Sequence, residues 1–313
     1  MKNRNTISIY HFINYNRNDL SDYIKRLGKL RPVVCFDLED SVQDLLHPKR
    51  NSALKIIARK KLLEIFNSCN FPDTKIGIRL NSFHSSEFIL DIKLLSELNK
   101  IVHINSLLIP KSESNSDVEK LTSILSDLKI EVDEVIPIIE TQKGFENLQS
   151  MLENKSEKVK QIAFGHCDFN IDKNIFPFHH QNSREYWNWV KEFLSILESH
   201  NIEFVNSPYL KLNDSYSFNS MLSKLNHFCN GSFGQISLTY KQTELCSEYD
   251  SSYKDLNGFD KKLTGVEISE YAKRIIDDFE SNNKSKGFSV TSANKTLISP
   301  HEYISAKKYL REA

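Results

Sequence analysis

Eight short apolar runs in the first 240 residues, polar run ends spaced 28 to 41 residues apart, and a change of rhythm beyond Tyr240 predict an α/β chain. The expected architecture is a TIM (β/α)8 barrel followed by a C-terminal helical and hairpin lid, since 28 to 41 residues is the length of one βα unit and eight such units close a barrel. The runs are Ile7 to Ile13, Pro32 to Phe36, Ile76 to Leu80, Asn105 to Ile109, Val135 to Ile139, Gln161 to Phe164, Glu203 to Val205 and Gln235 to Leu238. Most are continuous rather than alternating in polarity, the pattern of parallel strands covered on both faces. Between them, Ser116-x-x-Glu119 forms a capping box ahead of Leu121, Leu125 and Leu128. Ser183 caps a helix in which Tyr186, Val190, Phe193, Leu194 and Leu197 share a stripe, with two Trp residues assigned to packing.

Beyond Tyr240 a polar stretch leads to a helix patterned on Ile268, Ala272, Ile275 and Phe279. Phe288 to Val290 and Thr296 to Ile298 read as a hairpin around Ser292-Ala293-Asn294, and Ser299-Pro300-x-Glu302 starts a last helix. The expected division is a barrel core over 1–245, then the last barrel helix and lid segment over 246–313.

Composition removes whole classes of function. The 313 residues carry 41 Lys and Arg against 41 Asp and Glu, which leaves no electrostatic footprint for nucleic acid or an anionic membrane surface. Only 9 glycines are present, and the glycine motifs of dinucleotide, phosphate-loop and serine-hydrolase sites are missing. Five scattered cysteines, Cys35, Cys69, Cys167, Cys229 and Cys246, suggest neither a disulfide framework nor a zinc site. With no apolar run of bilayer-spanning length, a soluble cytoplasmic protein is expected.

In a barrel of this kind the reacting groups stand at the C-terminal strand ends. Those ends read Asp37-Leu38-Glu39-Asp40, Arg79-Leu80-Asn81, Pro110-Lys111, Glu140-Thr141 and Gly165-His166-Cys167-Asp168. Glu140 and Asp168 end consecutive strands, and two carboxylates without a His or Cys cage favour Mg²⁺. Taken singly, Glu140 is equally well the cap of the next helix, and Asp168 equally well a solvated loop residue. Arg79 has a planar guanidinium suited to a carboxylate or enolate oxygen. Asp37, Glu39 and Asp40 form an acidic cluster in which strand alternation sends Asp37 and Glu39 to one side and Asp40 to the other. Lys111 offers a cation for an anion, or a charge extended along the rim into solvent. His166, His179 and His180 read as surface histidines, and Cys167 as a small buried residue.

Together these motifs resemble the HpcH/HpaI aldolase and citrate lyase beta-subunit family. FINYNRNDL (12–20), CFDLEDSV (35–42), IRLN (78–81), LIPKSES (108–114), IIET (138–141) and AFGHCDF (163–169) are similar to six family motifs in the same order. The resemblance implies a barrel with a C-terminal lid, assembled as a trimer or hexamer, with Mg²⁺ held by Glu140 and Asp168. It implies cleavage or formation of a carbon–carbon bond beside a carbonyl through an enolate, with Arg79, Asp37, Glu39 and Asp40 as catalytic candidates. Candidate substrate contacts are Arg79, Asn81, Lys111 and Arg17.

Departures from the pattern bear on the substrate. Asn14-Tyr15 replaces the family's Pro-Gly, and the strand-eight motif loses its Lys, His and Pro across Gly234 to Gln242. Both lie where the family meets coenzyme A or its acyl arm, and the lid aspartate position is Ile298, so a coenzyme A thioester substrate lacks its usual support. Three readings follow: a Mg²⁺-dependent carbon–carbon lyase or aldolase acting on a small oxo- or hydroxy-acid, a catalytically silent barrel that binds metal and ligand as an assembly partner, and a thioester hydrolase of the same fold.

Overall fold

The computed structural model describes residues 6–14, 16–44, 46–69, 71, 73–251, 258–282, 289–291 and 295–312. The chain runs β1 (Thr6–Phe12), α1 (Leu20–Gly28), β2 (Val33–Asp37), α2 (Asn51–Ser68), β3 (Lys75–Arg79), α3 (Glu87–Leu98), β4 (Ile104–Ile109), α4 (Asn115–Asp127), β5 (Val132–Ile139), α5 (Gln142–Glu146), α6 (Leu148–Glu153) and β6 (Gln161–Phe164). It continues α7 (His166–Asp172), α8 (Arg184–Glu198), β7 (Glu203–Asn206), α9 (Ser215–Phe228), β8 (Ser232–Ser237), α10 (Tyr240–Ser247), α11 (Gly265–Asn282), β9 (Ser289–Val290), β10 (Leu297–Ile298) and α12 (Pro300–Glu312).

Each of the eight apolar runs is a strand. They pair in parallel, each with the next, and β8 pairs back onto β1 to close the barrel. Closure explains the continuous apolarity, because both faces of each strand are covered. Tyr10, Leu108, Ile136, Ala163, Val205 and Ile236 fill the lumen. Outside, the helices cover the barrel. Phe164 meets Phe193 of α8 at 4.7 Å between ring centroids, and Trp189 stands edge-on to Phe169 at 5.0 Å.

Side chains in the connecting loops start several helices. Thr141, Ser183, Asp214 and Thr239 each accept a hydrogen bond from a first-turn backbone N–H. At α4 the start differs from the sequence expectation: Ser114, not Ser116, is the cap, and Asp117 closes the box. Ser114 is in extended conformation (φ −154°, ψ 156°), so the helix begins at Asn115 and Ser116 already lies within its first turn.

The C-terminal segment has its own apolar centre. Ala272, Ile275 and Phe279 of α11 pack against Ile298, Tyr303 and Ala306, with Phe279 and Tyr303 stacked at 4.3 Å. β9 and β10 form the expected antiparallel pair, while Phe288 and Ser292 to Asn294 lie outside the described residues. The backbone N–H of Leu297 donates to the Leu210 carbonyl (2.8 Å) and that of Leu212 to the Lys295 carbonyl (3.0 Å), which joins this segment to the chain after β7. The division after residue 245 falls inside α10, a helix that packs on β1, β8 and α9. Among the described residues no helix is long and apolar enough to cross a membrane. A polar cavity of about 360 Å³, lined by Ser8, Tyr10, Ser106, Glu134 and Gln161, opens at the N-terminal strand ends, opposite the rim that carries the acidic cluster.

Candidate active site at the C-terminal rim

The end of β2 and the end of β3 meet through one guanidinium. Arg79 Nε and Nη2 donate to Asp37 Oδ1 and Oδ2 at 2.7 and 2.6 Å, a bidentate pair. Its Nη1 lies 3.1 Å from Asp40 Oδ2 and 3.2 Å from Glu39 Oε2. The expectation that Asp40 would face away from Asp37 and Glu39 is corrected here. β2 ends at Asp37 and residues Asp40–Val42 form a 3-10 turn, so alternation no longer governs and all three carboxylates converge on Arg79. Asp37 also accepts the backbone N–H groups of Glu39 and Ser41, both at 2.9 Å. Burial pushes the Asp37 carboxyl up, but Arg79 and these bonds outweigh it and hold it below the ordinary range.

A second group is built around Glu140. Its Oε1 accepts the backbone N–H of Lys111 at 2.8 Å. Lys111 has φ +52°, an uncommon conformation for a residue with a side chain. That backbone turn aims the N–H at Glu140, while Lys111 Nζ stands 3.6 Å from both Glu39 Oε1 and Asp168 Oδ1. Lys111 thus bridges the two acidic groups. Glu140 is pushed well above the ordinary range by burial, then by Asp168 and Glu39. Asp168 is raised by burial and by Asp40, and Glu39 is pushed up to about 8 by burial and Asp40 against the pull of Arg79 and Lys111. Five carboxylates therefore share the rim with two directly contacting cations, Arg79 and Lys111.

Two expected substrate contacts are engaged elsewhere. Asn81 is 2% exposed. Its side chain donates to the Leu38 carbonyl (2.9 Å) and Asp91 Oδ2 (2.8 Å) and accepts from Lys55, so it braces the β2 and β3 ends instead of facing the mouth. Arg17 lies in the loop before α1, paired with Asp19 at 2.9 Å through both Nε and Nη2 and stacked 4.0 Å over the Tyr23 ring.

His166 departs from the surface assignment, while His179 and His180 are half-buried. His166, the first residue of α7, is 1% exposed, and its Nε2 is 3.0 Å from His180 Nδ1 and 3.6 Å from Cys167 Sγ. Burial, helped by His180, keeps His166 well below the ordinary imidazole range, and burial pushes the Cys167 thiol well above its own. His179 packs against Trp189 at 5.3 Å. The position of His166 directly after the sixth run was the available signal. His180 lies 14 residues on, and only the folded loop brings it back. From the C-terminal segment, the charge of His301 pulls the Asp168 carboxyl down, opposing its burial.

The model of the HpcH/HpaI aldolase/citrate lyase family matches residues 22–183, just over half of the chain. A search of curated protein sequences returns no match. Among solved structures, RipC from Yersinia pestis superposes with a TM-score of 0.58 at 18% identity, covering 80% of this chain and 99% of that one. A citrate lyase beta subunit from M. tuberculosis, complexed with oxaloacetate and magnesium, gives 0.58 at 16% identity over 79% and 98%. CitE from M. tuberculosis with magnesium, acetoacetate and coenzyme A gives 0.58 at 14% identity over 99% of both chains. At these identities the structural likeness concerns the fold. The family match, which spans Asp37, Arg79, Glu140 and Asp168 at the strand ends, makes this chain a member of the HpcH/HpaI aldolase/citrate lyase family.

Proposed function

We propose that the chain is a Mg²⁺-dependent carbon–carbon lyase or aldolase that acts on a small oxo- or hydroxy-acid, free or on a carrier other than coenzyme A, through an enolate. The surplus of buried carboxylates at the rim carries this reading. Glu39 Oε2 is buried 3.2 Å from Arg79 Nη1 with no donor aligned on it, Asp168 raises the proton affinity of Glu39 and Glu140, and Asp40 raises that of all three. Such repulsion suits a divalent cation, which inverts the local preference for protonation. Magnesium in the complexes of M. tuberculosis CitE with acetate, acetoacetate and pyruvate supports the same choice.

In this reading Glu140 and Asp168 hold the ion, with solvent and substrate oxygens completing the oxygen shell that Mg²⁺ prefers. The bound metal supplies a Lewis acid. The protein supplies the rest. Asp37 fixes the Arg79 guanidinium edge-on, so a cation stays beside the acids without reorganising when charge develops on a substrate oxygen. Lys111, whose proton affinity the acids raise despite burial, stays charged and offsets part of the acid repulsion. The proposal extends to a cytoplasmic homo-oligomer, trimer or hexamer, for which light scattering after gel filtration gives the mass.

The test is calorimetric titration with oxalate, pyruvate, oxaloacetate and glyoxylate, with Mg²⁺ and with chelator. Mg²⁺-dependent binding is expected in the native protein and a loss of tenfold or more in Asp168→Asn, whose circular dichroism stays native; unchanged binding in that variant rejects the metal assignment. A second reading, the silent barrel, draws on Ile298, which is 1% exposed and packed in the apolar centre of the C-terminal segment. Product analysis separates the readings, since a lyase yields two carbon fragments, a hydrolase a free acid with its skeleton intact, and a silent barrel neither.

A further inference from the structure

The geometry points to a second metal site at the same rim, a thiophilic divalent cation of the zinc class bound by His166 Nε2, Cys167 Sγ and His180 Nδ1. These three atoms lie within 4.8 Å of one another. With Zn–N near 2.0 to 2.1 Å and Zn–S near 2.3 Å, a tetrahedral ion sets N to N and N to S edges of about 3.3 and about 3.6 Å. The observed edges are 3.0 Å from His166 Nε2 to His180 Nδ1 and 3.6 Å from His166 Nε2 to Cys167 Sγ. Two of the three edges thus match one ion to within a few tenths of an ångström, and the third, between His180 Nδ1 and Cys167 Sγ, lies within 4.8 Å and closes by rotation of the side chains onto the ion. The donor set is chemically distinct from Glu140 and Asp168, because nitrogen and sulfur select zinc-class ions whereas carboxylates and water select magnesium.

The surroundings are those of a ligand held in place rather than of a chance histidine pair. His180 turns its other nitrogen, Nε2, to Glu302 Oε1 at 3.4 Å, the carboxylate behind a metal-bound imidazole that fixes its tautomer and orientation. Glu302, 2% exposed, accepts the Tyr271 hydroxyl at 2.6 Å and donates its backbone N–H to Ser299 Oγ at 3.1 Å. On the barrel side, the His166 backbone N–H donates to Ser207 Oγ at 3.1 Å. Donors from α7 and the loop after it, braced by α11 and α12, would make the ion a clasp between the barrel rim and the C-terminal helices. Three protein ligands leave the fourth position to water or a small ligand.

The test uses the full-length protein, reduced and stripped with chelator, then titrated with Co²⁺ and afterwards with Zn²⁺. One equivalent of Co²⁺ is expected to give tetrahedral d–d bands with a thiolate-to-cobalt charge-transfer band, and Zn²⁺ is expected to abolish both. Cys167→Ser should remove the charge-transfer band and Asp168→Asn should keep it, which separates this site from the proposed Mg²⁺ site. Glu302→Gln should weaken binding about 10- to 100-fold, the usual cost of losing a carboxylate behind a ligating histidine. A folded native protein without the charge-transfer band, a band that persists in Cys167→Ser, or one lost in Asp168→Asn overturns the assignment. X-ray absorption on the zinc-loaded native protein decides the matter without any variant. One sulfur and two imidazoles support the site, and a shell of oxygen alone refutes it.

Discussion

Glu140 occupies the space that any side chain on residue 165 would need. A Cβ built on Gly165 would lie 2.4 Å from Glu140 Oε2 and 2.6 Å from its Cβ, contacts that real structures do not tolerate. Gly165→Ala is therefore expected to displace the carboxylate, weaken Mg²⁺-dependent ligand binding at least tenfold, and cost about 1 to 3 kcal/mol of stability as overpacking does. Calorimetric titration and denaturant unfolding read the two effects, and native affinity in the variant would show that Glu140 is not a ligand. His11 makes a different point at the same scale. It is 1% exposed, its Nδ1 lies 2.8 Å from Thr243 Oγ1 and its Nε2 3.2 Å from the Tyr23 hydroxyl. Burial, assisted by Arg17, lowers it from 6.5 to about 3. Its folded value lies below the unfolded one, so the stability it contributes is present above about pH 6.5 and is lost as pH falls toward 3. The unfolding free energy of His11→Asn should decline less steeply than that of the native protein between pH 6.5 and 4.5; parallel curves would remove His11 from the acid limb.

Helices α2 and α3 are held together by charges that the sequence pattern did not single out. Arg59 of α2 donates through Nε to Asp91 Oδ1 of α3 at 2.8 Å and lies 2.8 Å from Glu87. Asp91 is fully buried and also accepts the backbone and side-chain N–H groups of Asn81. Burial raises the Asp91 carboxyl against these donors, so removing one partner leaves the other uncompensated. Asp91→Ala is expected to cost about 3 to 5 kcal/mol in urea unfolding, and a loss under about 1 kcal/mol would contradict the bracing role given to Asn81. Elements of this kind mark the limit of a sequence reading. The eight strands were legible because burial on both faces leaves continuous apolar runs, and the caps at Ser183 and Ser299 because a side-chain oxygen one step before a helix has a local signature. The α4 cap was misplaced by two residues because Asp117 closes the box as well as Glu119 would. The tertiary partners of Asn81 and the folding of Asp40 onto Arg79 depend on how strand ends meet, which no local spacing encodes.

At the scale of the molecule, the barrel sets acids from three strand ends, those of β2, β5 and β6, facing one another and leaves their charge in surplus, so the folded state itself stores repulsion that a bound cation relieves. The position of Glu140 and Asp168 after consecutive strands was legible from the order of the runs, whereas the arrival of His301 and Glu302 over the mouth depends on the α11 and α12 packing. A cation that binds only the folded chain stabilises it by mass action, by about 2.7 kcal/mol at a hundredfold excess over its dissociation constant. For a chain of this size each kcal/mol moves the melting midpoint by about 2 °C. Saturating Mg²⁺ is therefore expected to raise the midpoint of chelator-treated protein by about 5 °C. Asp168→Asn should lose that rise while Cys167→Ser keeps it, because the carboxylate pair and the His166, Cys167 and His180 group use different donors. Calorimetric melting scans of the three proteins, each with chelator and with Mg²⁺, measure this directly. An equal rise in all three would place the magnesium effect away from Asp168, and no rise in the native protein would mean that Lys111 and Arg79 already balance the acids without a metal.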